Sequence, residues 1–138
     1  MILIDTSVIV EILKGNQKII DFLKSKKEEI YITSVTLAEV TIGFYFKSRK
    51  YFKTHKSYFE ELLEKKLIKI IPFDERIALT FAKMQASLKR SGKVLADFDA
   101  VIAATSLFFE ATLITLDEDF KRVKGLKLLF PGEVEKHR

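Results

Sequence analysis

The chain starts on three consecutive aliphatic residues, Ile2-Leu3-Ile4, that run straight into Asp5 and a Thr6-Ser7 pair. An apolar run this short, with no polar alternation, fits a strand covered on both faces. Strands of that kind belong to parallel sheets, whose crossover connections lay helices over the two faces. The Thr6-Ser7 pair is well chosen to cap a helix that follows at once. Asp5 is then expected where a parallel strand ends and a helix begins, the edge at which open α/β sheets hold their sites. A carboxylate there is costly to bury without a partner. The rest of the chain therefore has to be read for groups that return to the same edge.

Val8, Ile9, Ile12 and Leu13 keep helical spacing from Ser7 to Lys14, and Gly15 stops that helix. Asn16 can cap a second helix with Ile19, Ile20 and Leu23 as its apolar face. Glu29 to Thr33 is a β-rich run, and Ser34 is expected to cap a helix through Phe46. Tyr51 to Lys66 reads as a helix rich in Lys and Glu, and Leu67 to Phe73 as a third strand closed by Pro72. Asp74 should cap a helix carrying Ile77, Ala78, Phe81, Met84 and Leu88 that ends near Gly92. Asp97 to Phe109 is an alanine-rich helix and Ala111 to Thr115 a fourth strand. Asp117 opens a short helix to Arg122, and Leu126 to Phe130 is the last strand. Strands alternating with helices predict βαβ units: an α/β fold, a three-layer α/β/α sandwich around a central, mainly parallel sheet of about five strands. The 138 residues fit one domain, 1–138, with no repeat and no linker.

With 48% hydrophobic and 31% charged residues the chain can bury a core and does not read as a disordered tail. No apolar run approaches the roughly 18 residues needed to cross a bilayer, and the N-terminus has none of the marks of a signal peptide. The absence of cysteine removes disulfides, thiolate metal sites and cysteine nucleophiles, and a cytoplasmic location is expected. The net charge of +5 is gathered into clusters at Lys24-Ser25-Lys26-Lys27, Lys47-Ser48-Arg49-Lys50 and Lys121-Arg122-Val123-Lys124, which fits a polyanionic partner such as nucleic acid as well as an ordinary solvated surface. His55 and His137 are placed neither as metal ligands nor as a general base, and there is no glycine-rich phosphate loop.

Three acids interrupt apolar segments, where a solvated surface explains them least. Asp5 ends the first strand, Glu39 lies within Val35-Thr36-Leu37-Ala38-Glu39-Val40, and Asp99 precedes Ala100-Val101-Ile102-Ala103-Ala104. Strand ends and the first turns of the following helices share one edge of a parallel sheet, so the three can converge. Asp117, after the fourth strand, returns to that edge, although an acid there also makes a good helix cap. Converging carboxylates repel one another and do not all ionise alone. A hard divalent cation, Mg²⁺ or Mn²⁺, removes the conflict. The chemistry such a centre performs well is cation-assisted attack of water on a phosphodiester.

Ile-Asp-Thr-Ser, Ser-Val-Thr-Leu-Ala-Glu-Val with Gly43 beyond, Asp-Ala-Val-Ile-Ala-Ala-Thr-Ser and Thr-Leu-Asp-Glu-Asp-Phe together resemble the blocks of PIN-domain ribonucleases, most closely the VapC-type toxins of toxin–antitoxin pairs. The resemblance covers essentially the whole chain, in order. It implies a metal-dependent endoribonuclease, a homodimer or dimer of dimers, held inactive by a small antitoxin that covers the acidic groove. Residue by residue, Asp5, Glu39, Asp99 and Asp117 match the four acids, with Asp5 and Asp99 on the metal and Glu39 and Asp117 reaching it directly or through water. Thr6 or Ser7 matches the hydroxyl beside the first acid, which helps hold the metal or its water. Asp97 is read as a helix cap, because two residues' separation on a helix points it away from Asp99. Asp119 rivals Asp117 as the fourth acid. The series Phe44, Tyr45, Phe46, Tyr51, Phe52, Tyr58 and Phe59, among Lys47, Arg49, Lys50, Lys53 and Lys56, is read as packing in part and as a partner surface in part, by resemblance the antitoxin groove or dimer contact. Two readings keep the fold: an RNA-maturation nuclease without an antitoxin, and an inactive RNA-binding module. A receiver-like signalling domain is disfavoured, since it needs paired acids after the first strand and an Asp after the third.

Overall fold

All five windows that read as strands become strands, and they join one sheet. The computed structural model describes residues 1–46 and 49–132, excluding the side chains of 49–52. The readings made on Lys47 and His137, and on the side chains of Arg49, Lys50, Tyr51 and Phe52, lie outside what is described. In chain order the elements are β1 (Ile2–Ile4), α1 (Thr6–Leu13), α2 (Gln17–Lys26), β2 (Ile30–Thr33), α3 (Ser34–Phe46), α4 (Arg49–Glu64), β3 (Ile68–Ile71), α5 (Glu75–Arg90), α6 (Asp97–Phe109), β4 (Thr112–Ile114), a 3-10 turn (Glu118–Arg122) and β5 (Lys127–Leu129). The sheet order is β3-β2-β1-β4-β5 and every pairing is parallel.

The pleat of β1 explains its uninterrupted hydrophobicity. Ile2 and Ile4 pack into a core built with α1, α2, α3 and α4, whereas Leu3 faces the opposite core with α5 and α6. None of the three is more than 1% exposed, and burying each contributes roughly 1.5–3 kcal/mol. Helices therefore cover both faces, which gives the expected three layers. β1 to β3 are laid down towards one side of the sheet, and the chain then returns to place β4 on the other side of β1. The strand order reverses between β1 and β4, and open α/β sheets bind ligands outside the carboxyl ends of such a switch point.

Helix starts follow the expected chemistry with shifts of one residue. Asn16 caps α2 and Asp74 caps α5 as expected. The cap of α1 is Asp5 rather than the Thr6-Ser7 pair: its carboxylate accepts from the Val8 N–H at 3.2 Å, and Thr6 is already helical. Thr33 replaces Ser34 at α3, with its hydroxyl accepting from the Thr36 N–H at 3.2 Å. Ser34 instead accepts from the Phe73 N–H at 3.2 Å, which joins the ends of β2 and β3. The helix expected over Tyr51–Lys66 is displaced to Arg49–Glu64. α5 and α6 pack antiparallel, with Arg76 lying 5.0 Å over the Phe108 ring at one end and Gln85 donating to the Leu95 carbonyl at 3.1 Å at the other. That second contact fixes the approach to the start of α6. Among the described residues no helix is long and apolar enough to cross a membrane.

Candidate active site

Asp5 leaves β1 at this switch point and is 4% exposed. Ser7 donates to its Oδ1 at 2.6 Å and the Thr115 hydroxyl donates to its Oδ2, while the Val8 N–H caps it. Burial pushes the Asp5 carboxyl above the usual range, these three bonds pull it back, and the charge of Asp117 adds to the rise. Thr115 stands one residue past Ile114, the register partner of Ile4, so it falls beside Asp5. Its hydroxyl also accepts from the Asp117 N–H at 3.0 Å, and the Ser7 hydroxyl accepts from the Leu116 N–H at 3.2 Å. Two hydroxyls thus tie the ends of β1 and β4 together around the first acid. Thr115 is not among the residues expected here, because its signal depends on knowing that β1 and β4 are neighbours.

Glu39 projects from α3, partly buried, and receives the Thr6 hydroxyl at 2.6 Å. Thr6 and Ser7 therefore each hold one acid, Glu39 and Asp5 respectively. Asp99, the third residue of α6, is where the charges meet. Its carboxyl is pushed up to about 6, first by burial, then by Asp117, Glu39, Asp5 and Asp119. Among the described residues it accepts no hydrogen bond and meets no Lys or Arg at ion-pair distance. Asp97 is exposed and is not among the leading charges acting on Asp99, and it is not the cap of α6 either: Ala96 holds that position with no side-chain bond. Both acids instead lie in the first helical turn, where the helix dipole favours negative charge. Asp117 is half-buried and accepts from the Asp119 N–H at 2.9 Å, whereas Asp119 is exposed and paired with Arg122 at 3.4 Å. Asp117 is the less committed of the two, and its charge weighs more heavily on Asp99.

The donors are carboxylate and hydroxyl oxygens throughout, a set that matches a hard divalent cation. A cation would relieve the charge on this edge, since neighbouring acids raise Asp5 and Asp99 and no ion pair among the described residues neutralises Asp5, Glu39, Asp99 or Asp117. Among the described residues, however, no three acids stand as a closed coordination shell. Asp5, Glu39 and Asp117 are each engaged by a hydroxyl or a backbone N–H. The edge is looser than the convergence expected from the sequence.

The PIN-domain family model matches residues 2–126. The chain belongs to that family. It is 33% identical over 122 residues to Toxin FitB of Neisseria gonorrhoeae, covering 85% of this chain and 88% of the relative. It is 30% identical over 129 residues to Ribonuclease VapC1 of Rickettsia felis, covering 93% and 94%. The crystal structure of FitAcB from Neisseria gonorrhoeae superposes with a TM-score of 0.80 at 31% identity, over 96% of this chain and 99% of that one. This PIN domain therefore matches its relatives over nearly their whole length, with the acidic edge inside the matched region.

Proposed function

We propose that this PIN-domain chain is a divalent-cation-dependent endoribonuclease and the toxin of a toxin–antitoxin pair. The observation that carries the reading is Asp99, a partly buried carboxylate facing four other acids without a cationic partner. A fold that tolerates this repulsion at its switch point is built to receive positive charge there. The relatives' names, a toxin and a ribonuclease, supply the reaction class and the biological role.

Asp5 and Asp99 are assigned as direct ligands, with Glu39 and Asp117 reaching the cation directly or through water. Mg²⁺ or Mn²⁺, when bound, supplies Lewis acidity towards the phosphodiester and makes its water more acidic. The chain's own part is placement. Ser7, Thr115 and the Val8 N–H fix the Asp5 carboxylate before any ligand arrives, which limits reorganisation during reaction. Thr6 holds Glu39 beside the start of α1, next to Asp5. Asp99, with its carboxyl raised to about 6, is mostly ionised at neutral pH and would be available there as an anionic ligand.

The partner reading rests on α3, where Ile42, Tyr45 and Phe46 are 52%, 77% and 85% exposed. Apolar surface of that extent calls for a cover. We assign it to the antitoxin or to the second copy of a homodimer.

The test is cleavage of RNA by the purified chain in Mg²⁺, Mn²⁺ or EDTA, beside folded Asp5→Asn and Asp99→Asn variants. Loss of a direct ligand should exceed the 10–100-fold loss typical of outer partners. Cleavage in EDTA, or retained by Asp99→Asn, would overturn the assignment.

A further inference from the structure

A cleft of about 540 Å³ lies between α5, the end of α6 and the segment after the 3-10 turn. Lys83, Arg90, Lys93, Arg122 and Lys124 line it, and no carboxylate does. These five are exposed, and the one ion pair made by any of them among the described residues is that of Arg122 with Asp119. Its floor is apolar, formed by Met84, Leu88 and Val123, which are 9% exposed or less. Low-dielectric walls of this kind strengthen the field of charges at the rim. The chain carries 24 Lys and Arg against 19 Asp and Glu, so its net +5 equals the charge of this cleft alone.

The cleft adjoins the acidic edge. Lys93 on its rim and Asp99 in the edge are six residues apart, which limits their separation to about 22 Å even for extended chain. Arg122 couples the two regions directly: its guanidinium donates to the Val94 carbonyl at 2.9 Å and pairs with Asp119, whose charge Asp99 feels. Along the intervening stretch Val94 and Phe98 are 45% and 42% exposed. Cations for a backbone, an exposed ring for a base and an adjoining hydrolytic edge form the combination that single-stranded nucleic acid requires. An acidic peptide would use the cations but not the ring.

We propose that this cleft is a phosphate-backbone site that holds the RNA strand beyond the scissile position, with Phe98 stacking a base between cleft and acidic edge. The inference rests on the ribonuclease reading, and its test separates the two. Lys83→Glu/Arg90→Glu, introduced into the full chain, changes exposed side chains outside the acidic edge. Cleavage of a short oligonucleotide confined to that edge should be unchanged. For an RNA of about 16 nucleotides, long enough to fill a single-strand site, KM should rise at least tenfold with kcat unchanged. Fluorescence anisotropy of the same RNA on an Asp99→Asn background scores the cleft even if the protein cleaves nothing. There, the slope of log affinity against log salt should fall by about 1.4, or about 0.7 for each phosphate that is no longer neutralised. Wild-type affinity and slope in the double variant would overturn the proposal. So would polyglutamate displacing RNA from the cleft at equal concentration, or a change in oligomeric state caused by the substitutions.

Discussion

Asp99 shows how one side chain at the edge couples stability to function. Its folded-state carboxyl lies near 6 against 3.8 for a free aspartate, so between those values the folded chain holds a proton that the unfolded chain has released. Stability of the metal-free protein should therefore fall as pH rises from about 4 to about 6 and level off above. The nominal cost of about 3 kcal/mol shrinks to about 1 kcal/mol for a half-exposed group screened by water. Asp99→Asn should recover that amount in urea denaturation at pH 7.5 and nothing at pH 4, so an equal gain at both values would refute the electrostatic account. The four acids are legible in the sequence because each stands at or beside an apolar segment that ordinary surface charge does not explain. The hydroxyls are less so. Thr6 and Ser7 stand out as caps, but they hold Glu39 and Asp5, and Thr115 acquires its role only through strand order.

At the scale of elements, α3 and α6 end at Phe46 and Phe109 as read, and it is the starts that shift where two caps compete. Caps are local chemistry, and Asn16 and Asp74 act where the sequence places them. The shifts at Asp5 and Thr33 arise because the residue just before each expected cap already carries a competent oxygen, leaving the next hydroxyl for other contacts. Three helices close without glycine. α2 is capped by Lys27, α4 is followed by Lys66, and α6 is capped by Glu110, all with positive φ of 53°, 58° and 53°. A side chain in that conformation costs roughly 1–2 kcal/mol, which tertiary packing overrides here. Glu110→Gly should accordingly raise stability by about 1 kcal/mol, with Glu110→Ala giving no gain. Thermal or urea unfolding reads the difference, and destabilisation by Gly would mean that the Glu110 side chain contributes more than its backbone costs.

The whole molecule sets one acidic edge into a basic chain, and sheet order is what makes the edge. Sequence pattern supplies the strands and their parallel character, but not the order β3-β2-β1-β4-β5 that puts β1 at the centre and brings β4 beside it. That order turns scattered acids into a group whose repulsion is distributed through the fold. A bound divalent cation should reverse the balance. Because binding favours the folded state alone, saturation at 100 times Kd adds about 2.7 kcal/mol, on the order of 10 °C in unfolding midpoint for a chain of this size. Protons and cation compete for Asp99, so this stabilisation should be full above pH 6 and fade as pH falls through it. The metal-free and Mn²⁺-loaded proteins should then respond to pH differently: the first loses stability as pH rises towards 6, and the second stays nearly flat because the cation keeps Asp99 ionised across that window. Differential scanning calorimetry between pH 4.5 and 8, with Mn²⁺ or with EDTA, compares the two curves. Curves that remain parallel would mean that the cation does not bind through Asp99, whereas convergence at low pH together with a flat response in Asp99→Asn would tie both effects to this carboxylate.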